Sequence, residues 1–442
     1  MTRKWWLDPW ALIPGFLGGL GVWLAGNWIP DVVLGHLWPW LLGAIALRLA
    51  WPRLQRRWGY PERVRKAMEH FLPGEGRRLY LVSARKSARG VWELRFRLQD
   101  PMQTANVLRS QSTLSAGLGA PVAVWLEGGG RAGMLRAKVS TVRLPQPPEK
   151  GTLRHRLFGD RPPVRYQEFY GRERPPEGEL VFGIGLSTSG PLWRDMADIC
   201  HLLIGGQTGT GKSVFLRQML TWLMERYTPD QFQLVLVDLK GGVEFDVFSG
   251  VPHLGAPVVT DLESCCQAIH GLVAHFQERM ELLRQLHVSN LQELRKRTGR
   301  SLPRVLVVID EITSLAFQEI QHVSPQEGAL RVTVLDHLTT LARQGRAGGV
   351  HLVVATQRPD PGVLPGQLLA NFKASLAFST RNAKDSEVIL REGDGSAAWL
   401  PPIAGRGVFL YGSQHDEIQV PFIDAVEIDE RLCRRWKRKV VA

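Results

Sequence analysis

A chain of 442 residues is long enough for two or three domains, each with its own core. With 44% hydrophobic and 22% charged residues it is not a mainly disordered polymer. A formal charge of +13 points to a polyanionic partner, either nucleic acid or an anionic membrane surface.

The four cysteines are Cys200, Cys265, Cys266 and Cys433, and no pair has metal-ligand spacing. They read as buried or incidental thiols of a reducing compartment.

Nine of the 15 tryptophans precede residue 60. The run WALIPGFLGGLGVWLAGNW (10–28) carries no charge, and after Ile29-Pro30-Asp31 the run VVLGHLWPWLLGAIALRLAW (32–51) is uncharged until Arg48. Each is long enough to cross about 30 Å of hydrocarbon as a helix. Trp5, Trp6, Trp10, Trp28 and Trp51 sit near the ends, where amphipathic rings prefer the interface. Arg3 and Lys4 precede the first run, and Arg53, Arg56 and Arg57 follow the second. Positive-inside logic puts both termini in the cytoplasm, with an outward turn near Pro30. The first run lacks a small-x-small cleavage site and a second span follows at once, which disfavours a signal peptide. The tryptophan girdle and flanking cations favour the bilayer over a buried soluble hairpin. The expectation is a two-helix transmembrane hairpin over 1–58 in the plasma membrane, multi-pass, with the rest of the chain cytoplasmic.

Residues 59–150 read as a small α+β domain. VWELRFRL (91–98) and PVAVWLE (121–127) have strand character, and TANVLRSQSTLSAGLG (104–119) reads as a helix. A Pro-rich connector, 151–179, follows.

From 180 to 425 the pattern becomes α/β. LLI (202–204), FQLVLVD (232–238), RVLVVID (304–310), VHLVVAT (350–356), ASLAFST (374–380) and GVFLYG (407–412) suit strands buried on both faces of a parallel sheet. Helical stretches such as 263–286 alternate with them. Residues 426–442 read as a basic C-terminal tail.

Gly206-Gln207-Thr208-Gly209-Thr210-Gly211-Lys212-Ser213 satisfies G-x-x-x-x-G-K-[ST] between an expected strand and an expected helix. The glycines let successive backbone N–H groups wrap phosphates, and the helix N-terminus favours negative charge. Lys212 is placed for the β/γ-phosphates and the Ser213 hydroxyl for Mg²⁺. ATP and Mg²⁺ are therefore the expected cofactors. A second apolar strand ends in Asp310-Glu311. Asp310 suits the Mg²⁺ shell, and Glu311 suits the general base that polarises water. A third ends at Gln357, a polar group able to sense the γ-phosphate. Arg343 and Arg346 sit where a helix ends. Either can serve a neighbouring subunit as an arginine finger, or simply satisfy a helix C-terminus.

With these residues in view, the chain resembles the FtsK/SpoIIIE family of DNA-translocating ATPases over roughly 180–425. The likeness rests on HLLIGGQTGTGKS, VDLKGGVEF…GVPHL…VVTD, VLVVIDEI, ARQGRAGGVHLVVATQRP and ANFKASLAFSTRNAKDSEVIL. It implies a P-loop (RecA-like) motor with Walker A and Walker B elements, a homo-hexameric ring and a DNA track, duplex or single-stranded. It assigns the trans finger to Arg346 rather than Arg343. It makes Gln357 the γ-phosphate sensor, and Arg358 and the 380–386 loop candidates to face DNA. Many members read D-S-R-T-I-L where this chain has Asp385-Ser386-Glu387-Val388-Ile389-Leu390, so Arg381 and Lys384 are the substitutes for that contact. The acidic stretch usual after Walker B is here the neutral Ile312-Thr313-Ser314-Leu315.

A two-span anchor, a small domain and a motor, without a winged-helix module, is similar to the coupling ATPases of Gram-positive conjugative elements. That likeness implies relaxase-type and conjugation-channel partners. A chromosome-segregation DNA pump and a protein-secretion ATPase are the alternatives.

Overall fold

The computed structural model describes residues 64–69, 79–86, 91–99, 107, 122–126, 134–140, 144–147, 162–171, 174–315, 324–359 and 366–436. The expected membrane hairpin and the expected helix at 104–119 lie outside them, Val107 aside. Among the described residues, no helix is long and apolar enough to cross a membrane.

The N-terminal part is a four-stranded antiparallel sheet of β1 (Leu79–Lys86), β2 (Val91–Leu98), β3 (Val122–Leu126) and β4 (Met134–Ser140), in the order β1-β2-β4-β3. β2 alternates strictly after Trp92, with Leu94, Phe96 and Leu98 buried and Glu93 and Arg97 exposed. β2 and β3 fall where their alternation predicts, whereas β1 and β4 are new.

The motor holds nine strands: β5 (Val181–Ser187), β6 (Gly190–Asp195), β7 (Leu202–Gly205), β8 (Phe232–Val237), β9 (Arg304–Ile309), β10 (Val350–Thr356), β11 (Ala374–Phe378), β12 (Arg406–Tyr411) and β13 (Gln414–Gln419). Their order is β6-β5-β13-β12-β11-β7-β10-β9-β8. The five strands from β11 to β8 are parallel, as the apolar runs predict. The remaining four are antiparallel, which corrects an all-parallel expectation. GVFLYG is apolar because both its faces are covered, but Tyr411 pairs with Gln414 across a two-residue turn. A connection that short can only reverse the chain.

Alternate residues of the central strands feed two separate cores. Leu202, Ile204, Val353 and Ala355 face one side, with Phe215, Met219 and Leu223 of a helix, α2 (Lys212–Arg226). Leu203, Leu352 and Val354 face the other. There they meet Ile269 and Phe276 of α3 (Leu262–Gln285) and Val334, Leu338 and Leu341 of α5 (Pro325–Gly348). Between these two lies α4 (Leu291–Thr298), capped by Asn290 at its start and by left-handed Gly299 at its end.

Two segments expected to be loop or tail are parts of this body. Within the connector, α1 (Tyr166–Tyr170) stacks Tyr170 on Trp222 at 4.2 Å, and the Tyr166 hydroxyl donates to Glu225 at 2.6 Å. The tail from 426 is, over Ala425–Trp436, a helix whose Ile428 and Leu432 are fully buried in the α2-side core. Arg431 also pairs with Glu225 at 3.1 Å. The segment reads as a basic tail on its charge, but the spacing Ile428, Leu432, Trp436 supplies an apolar stripe. A short helix, α6 (Ala383–Ile389), follows β11.

Candidate functional site

β7 is too short to carry a site by itself, but its C-terminal end delivers the glycine-rich loop directly onto α2. Gly206 has φ +146°, and a Cβ there would come within 2.7 Å of Phe378 Cβ. Gly211 has φ +120°, and its Cβ would meet the backbone of Gly405 at 2.8 Å. Only glycine fits either position. The loop is tied down by Gln207 N–H to Ser379 O at 3.0 Å and by Gly405 N–H to Thr210 O at 2.8 Å.

Lys212 folds back over this loop. Its Nζ donates to the carbonyls of Gly206 at 2.6 Å and Gln207 at 2.8 Å. Burial pushes the amine down to about 8, against the pull of Glu311 and Asp310. A buried ammonium held by two neutral carbonyls gains from an arriving phosphate, which supplies the missing negative charge.

The order β7-β10-β9 decides the rest, because β10 separates the loop strand from the Asp310-Glu311 strand. Gln357, at the tip of β10, therefore spans both. Thr208 Oγ1 donates to Gln357 Oε1 at 2.7 Å, while Gln357 N–H donates to the Glu311 carboxylate at 3.0 Å. Glu311 is buried and also accepts from Thr313 Oγ1 at 2.5 Å and Lys240 Nζ at 3.1 Å. Asp310 is buried too, and its carboxylate receives no hydrogen bond within the described residues. Burial, with Glu244, Asp238 and Glu311 nearby, pushes its carboxyl up to about 6.

Among the described residues, no group of three or more His, Cys, Asp or Glu is arranged to hold a metal ion. A small hard cation such as Mg²⁺ needs only one or two protein oxygens beside phosphates and water. Ser213 lines the cavity at the loop, and Asp310 offers a buried carboxylate. A buried carboxylate without a donor, beside three other acids, fits a cation.

Lys240, Glu244 and Asp238 escaped the sequence reading as site residues. They belong to the loop after β8, whose backbone N–H groups at 240 and 244 are held by the Asp238 carboxylate at 3.0 and 3.1 Å. The signal was there in VDLKGGVEF, where one Lys and two acids flank a Gly-Gly pair.

Arg346 is not brought to this site. It ends α5 just before β10 begins, so it lies at the N-terminal edge of the sheet, whereas the loop lies at the C-terminal edge. The seven residues of β10 separate the edges by roughly 20 Å. At that edge, burial pushes the His351 ring down to about 3, with Arg304 and Arg346 adding to the shift. Arg343 and Arg346 are both exposed. Arg358, Arg381 and Lys384 are exposed as well. They follow β10 and β11, so they share the loop's edge. Ser386 is buried and structural, donating to Asp394 O at 2.6 Å.

Residues 165–361 match the FtsK/SpoIIIE family model. The chain is 32% identical over 270 residues to the DNA translocase FtsK of Sporosarcina ureae, covering 58% of this chain and 32% of that protein. It is 31% identical over 266 residues to the DNA translocase SpoIIIE of Bacillus subtilis, covering 55% and 32%. The chain thus spans about a third of the length of the curated relatives it matches. Among solved structures it is similar to the pCW3 conjugation coupling protein TcpA, monomer form with ATPgS. That likeness has a TM-score of 0.56 at 25% identity and covers 84% of this chain and 98% of that one.

Proposed function

We propose that the chain, whose segment 165–361 matches the FtsK/SpoIIIE family model, is an ATP-driven DNA translocase, the coupling protein that moves element DNA to a conjugation channel. The observation that carries this reading is Gln357, bonded at one end to the phosphate loop through Thr208 and at the other to Glu311. Nucleotide and hydrolytic groups are thereby coupled through one strand tip. The likeness to a conjugation coupling protein over 84% of the chain supports the finer role.

The loop 206–213 receives the triphosphate, and Lys212 leaves its two carbonyl partners for the β/γ-phosphates. Mg²⁺, held by the Ser213 hydroxyl and Asp310, neutralises phosphate charge when bound. Glu311, fixed by three donors, takes the proton of the attacking water. Gln357 reports the γ-phosphate to Glu311. Arg346 serves the neighbouring subunit of a homo-hexameric ring, since it stands too far from its own loop. Arg358, Arg381 and Lys384 contact the DNA backbone, a sequence-independent and salt-sensitive grip. Residues 1–58 anchor the ring in the plasma membrane with the motor in the cytoplasm. Target choice falls to relaxase-type and channel partners.

The test is ATP hydrolysis by the full chain with no DNA, single-stranded DNA and duplex DNA, beside Lys212→Ala. Stimulation by one DNA form, lost in the variant and weakened by salt, supports the motor and names its track. Basal turnover without stimulation favours a protein substrate. That second reading has one observation behind it, a likeness to the Type VII secretion ATPase EccC of Thermomonospora curvata. It has a TM-score of 0.50 at 26% identity and covers 60% of this chain and 32% of that one.

A further inference from the structure

The cavity that opens at the phosphate loop extends to about 560 Å³, a size that takes a whole nucleotide. Beyond the loop its wall is formed by Val214, Ile403, Val420 and Phe422, with Pro162 and Pro163. None of these side chains can donate or accept a hydrogen bond. Two polar side chains reach the cavity beyond the loop and Gln357. Gln419 donates from Nε2 to Ala404 O at 2.9 Å and accepts at Oε1 from Arg406 at 3.0 Å. Glu244 pairs through one carboxylate oxygen with Arg217 at 2.9 Å and acts electrostatically on Lys212 and Asp310, which places it at the phosphate end of the cavity.

Backbone groups of Gly405, Val420 and Phe422 are committed as well. Gly405 N–H bonds Thr210 O and Val420 N–H bonds Gly405 O, each at 2.8 Å. Phe422 is held on both sides, by Val164 O and by Tyr166 N–H, each at 2.9 Å. Yet the residue itself is 39% exposed. A fixed backbone thus carries an open aromatic ring beside the phosphate loop.

We propose that this wall is a nucleobase platform that holds its ring by stacking and apolar contact, so that the motor takes nucleoside triphosphates with little regard to the base. The inference rests on reading 206–213 as a triphosphate cradle. A site built to hydrogen-bond its ligand rejects the wrong one by roughly 10⁴-fold or more, whereas an apolar pocket discriminates by about 10–200-fold at most. Purines exceed pyrimidines here only through their larger stacking face.

The experiment compares ATP, GTP, CTP and UTP as substrates of the full chain, with kcat/KM for each and binding measured separately. The expected result is GTP within about tenfold of ATP, with the pyrimidines weaker through KM. Phe422→Ala is expected to raise KM for ATP and GTP alike by about tenfold, and Phe422→Trp to restore it. A preference for ATP over GTP beyond about a hundredfold overturns the inference and leaves the motor intact. So does a Phe422→Ala variant whose KM is unchanged for every base. Binding of none of the four would remove the cradle reading itself, and this inference with it.

Discussion

The backbone N–H of Gln357 donates to both carboxylate oxygens of Glu311, at 3.2 and 3.0 Å. Thr313 and Lys240 supply further donors at 2.5 and 3.1 Å. A carboxylate so held is oriented before substrate arrives. Glu311→Gln keeps the shape and removes the proton acceptor. Turnover should fall by about 10²–10⁴ while nucleotide affinity stays close to that of the parent. Steady-state hydrolysis and equilibrium binding check the two halves separately; a variant with more than a tenth of parental turnover means that Glu311 is not the base.

Asp310 should trade stability for function. Its folded carboxyl titrates at about 6, against an ordinary value of 3.8, chiefly through burial. The folded state therefore holds this proton more tightly than the unfolded chain. Ionised Asp310 destabilises the fold above pH 6 and contributes nothing below its unfolded value. Asp310→Asn should stabilise the nucleotide-free protein at pH 7 by on the order of 1–3 kcal/mol and abolish Mg²⁺-dependent turnover. Denaturant midpoints at pH 4, 5, 6 and 7 test it, and the gain should shrink toward the acid end.

Arg346 and Lys212 stand at opposite edges of one sheet. In the proposed ring, Arg346 acts on a neighbour's loop rather than its own. Arg346→Ala should lose about 10³-fold or more in turnover with nucleotide binding retained. Mixed rings of Arg346→Ala and Glu311→Gln subunits should regain activity, because some interfaces then hold both groups. Mixtures that stay inactive at every ratio count against the trans role.

The three cations on the loop's edge predict a salt signature. Replacing Arg358, Arg381 or Lys384 by Ala should weaken DNA binding equally across sequences. Each should reduce the slope of log affinity against log salt by about one. An unchanged slope removes that residue from the phosphate contacts.

Leu432 has no solvent exposure and packs in the core that α2 builds. Leu432→Ala should cost about 2–5 kcal/mol of unfolding free energy, read from urea denaturation. A solvated tail would give no change.

The motor's centre was legible because its signals are local. Leu202–Gly205 with 206–213, Arg304–Ile309 with Asp310 and Glu311, and Val350–Thr356 with Gln357 each join an apolar strand to a polar tip. Backbone geometry turns such a run into a strand wherever it pairs. β13 escaped because Gln414–Gln419 buries His415, Asp416 and Gln419, polar residues that no alternation rule marks as internal. The C-terminal helix escaped because its three arginines, with Lys437 and Lys439 just beyond it, outweigh three apolar positions when read as composition. What the sequence determined by itself was therefore the five parallel strands of the motor and the chemical groups at their tips. Only the tertiary structure decided that β10 lies between β7 and β9, so that Gln357 touches both Thr208 and Glu311. Only it brought Lys240 to a carboxylate 71 positions away and put Arg346 on the far edge. Strand order follows from which faces bury one another across long stretches of chain, and a short-range pattern carries no record of that pairing.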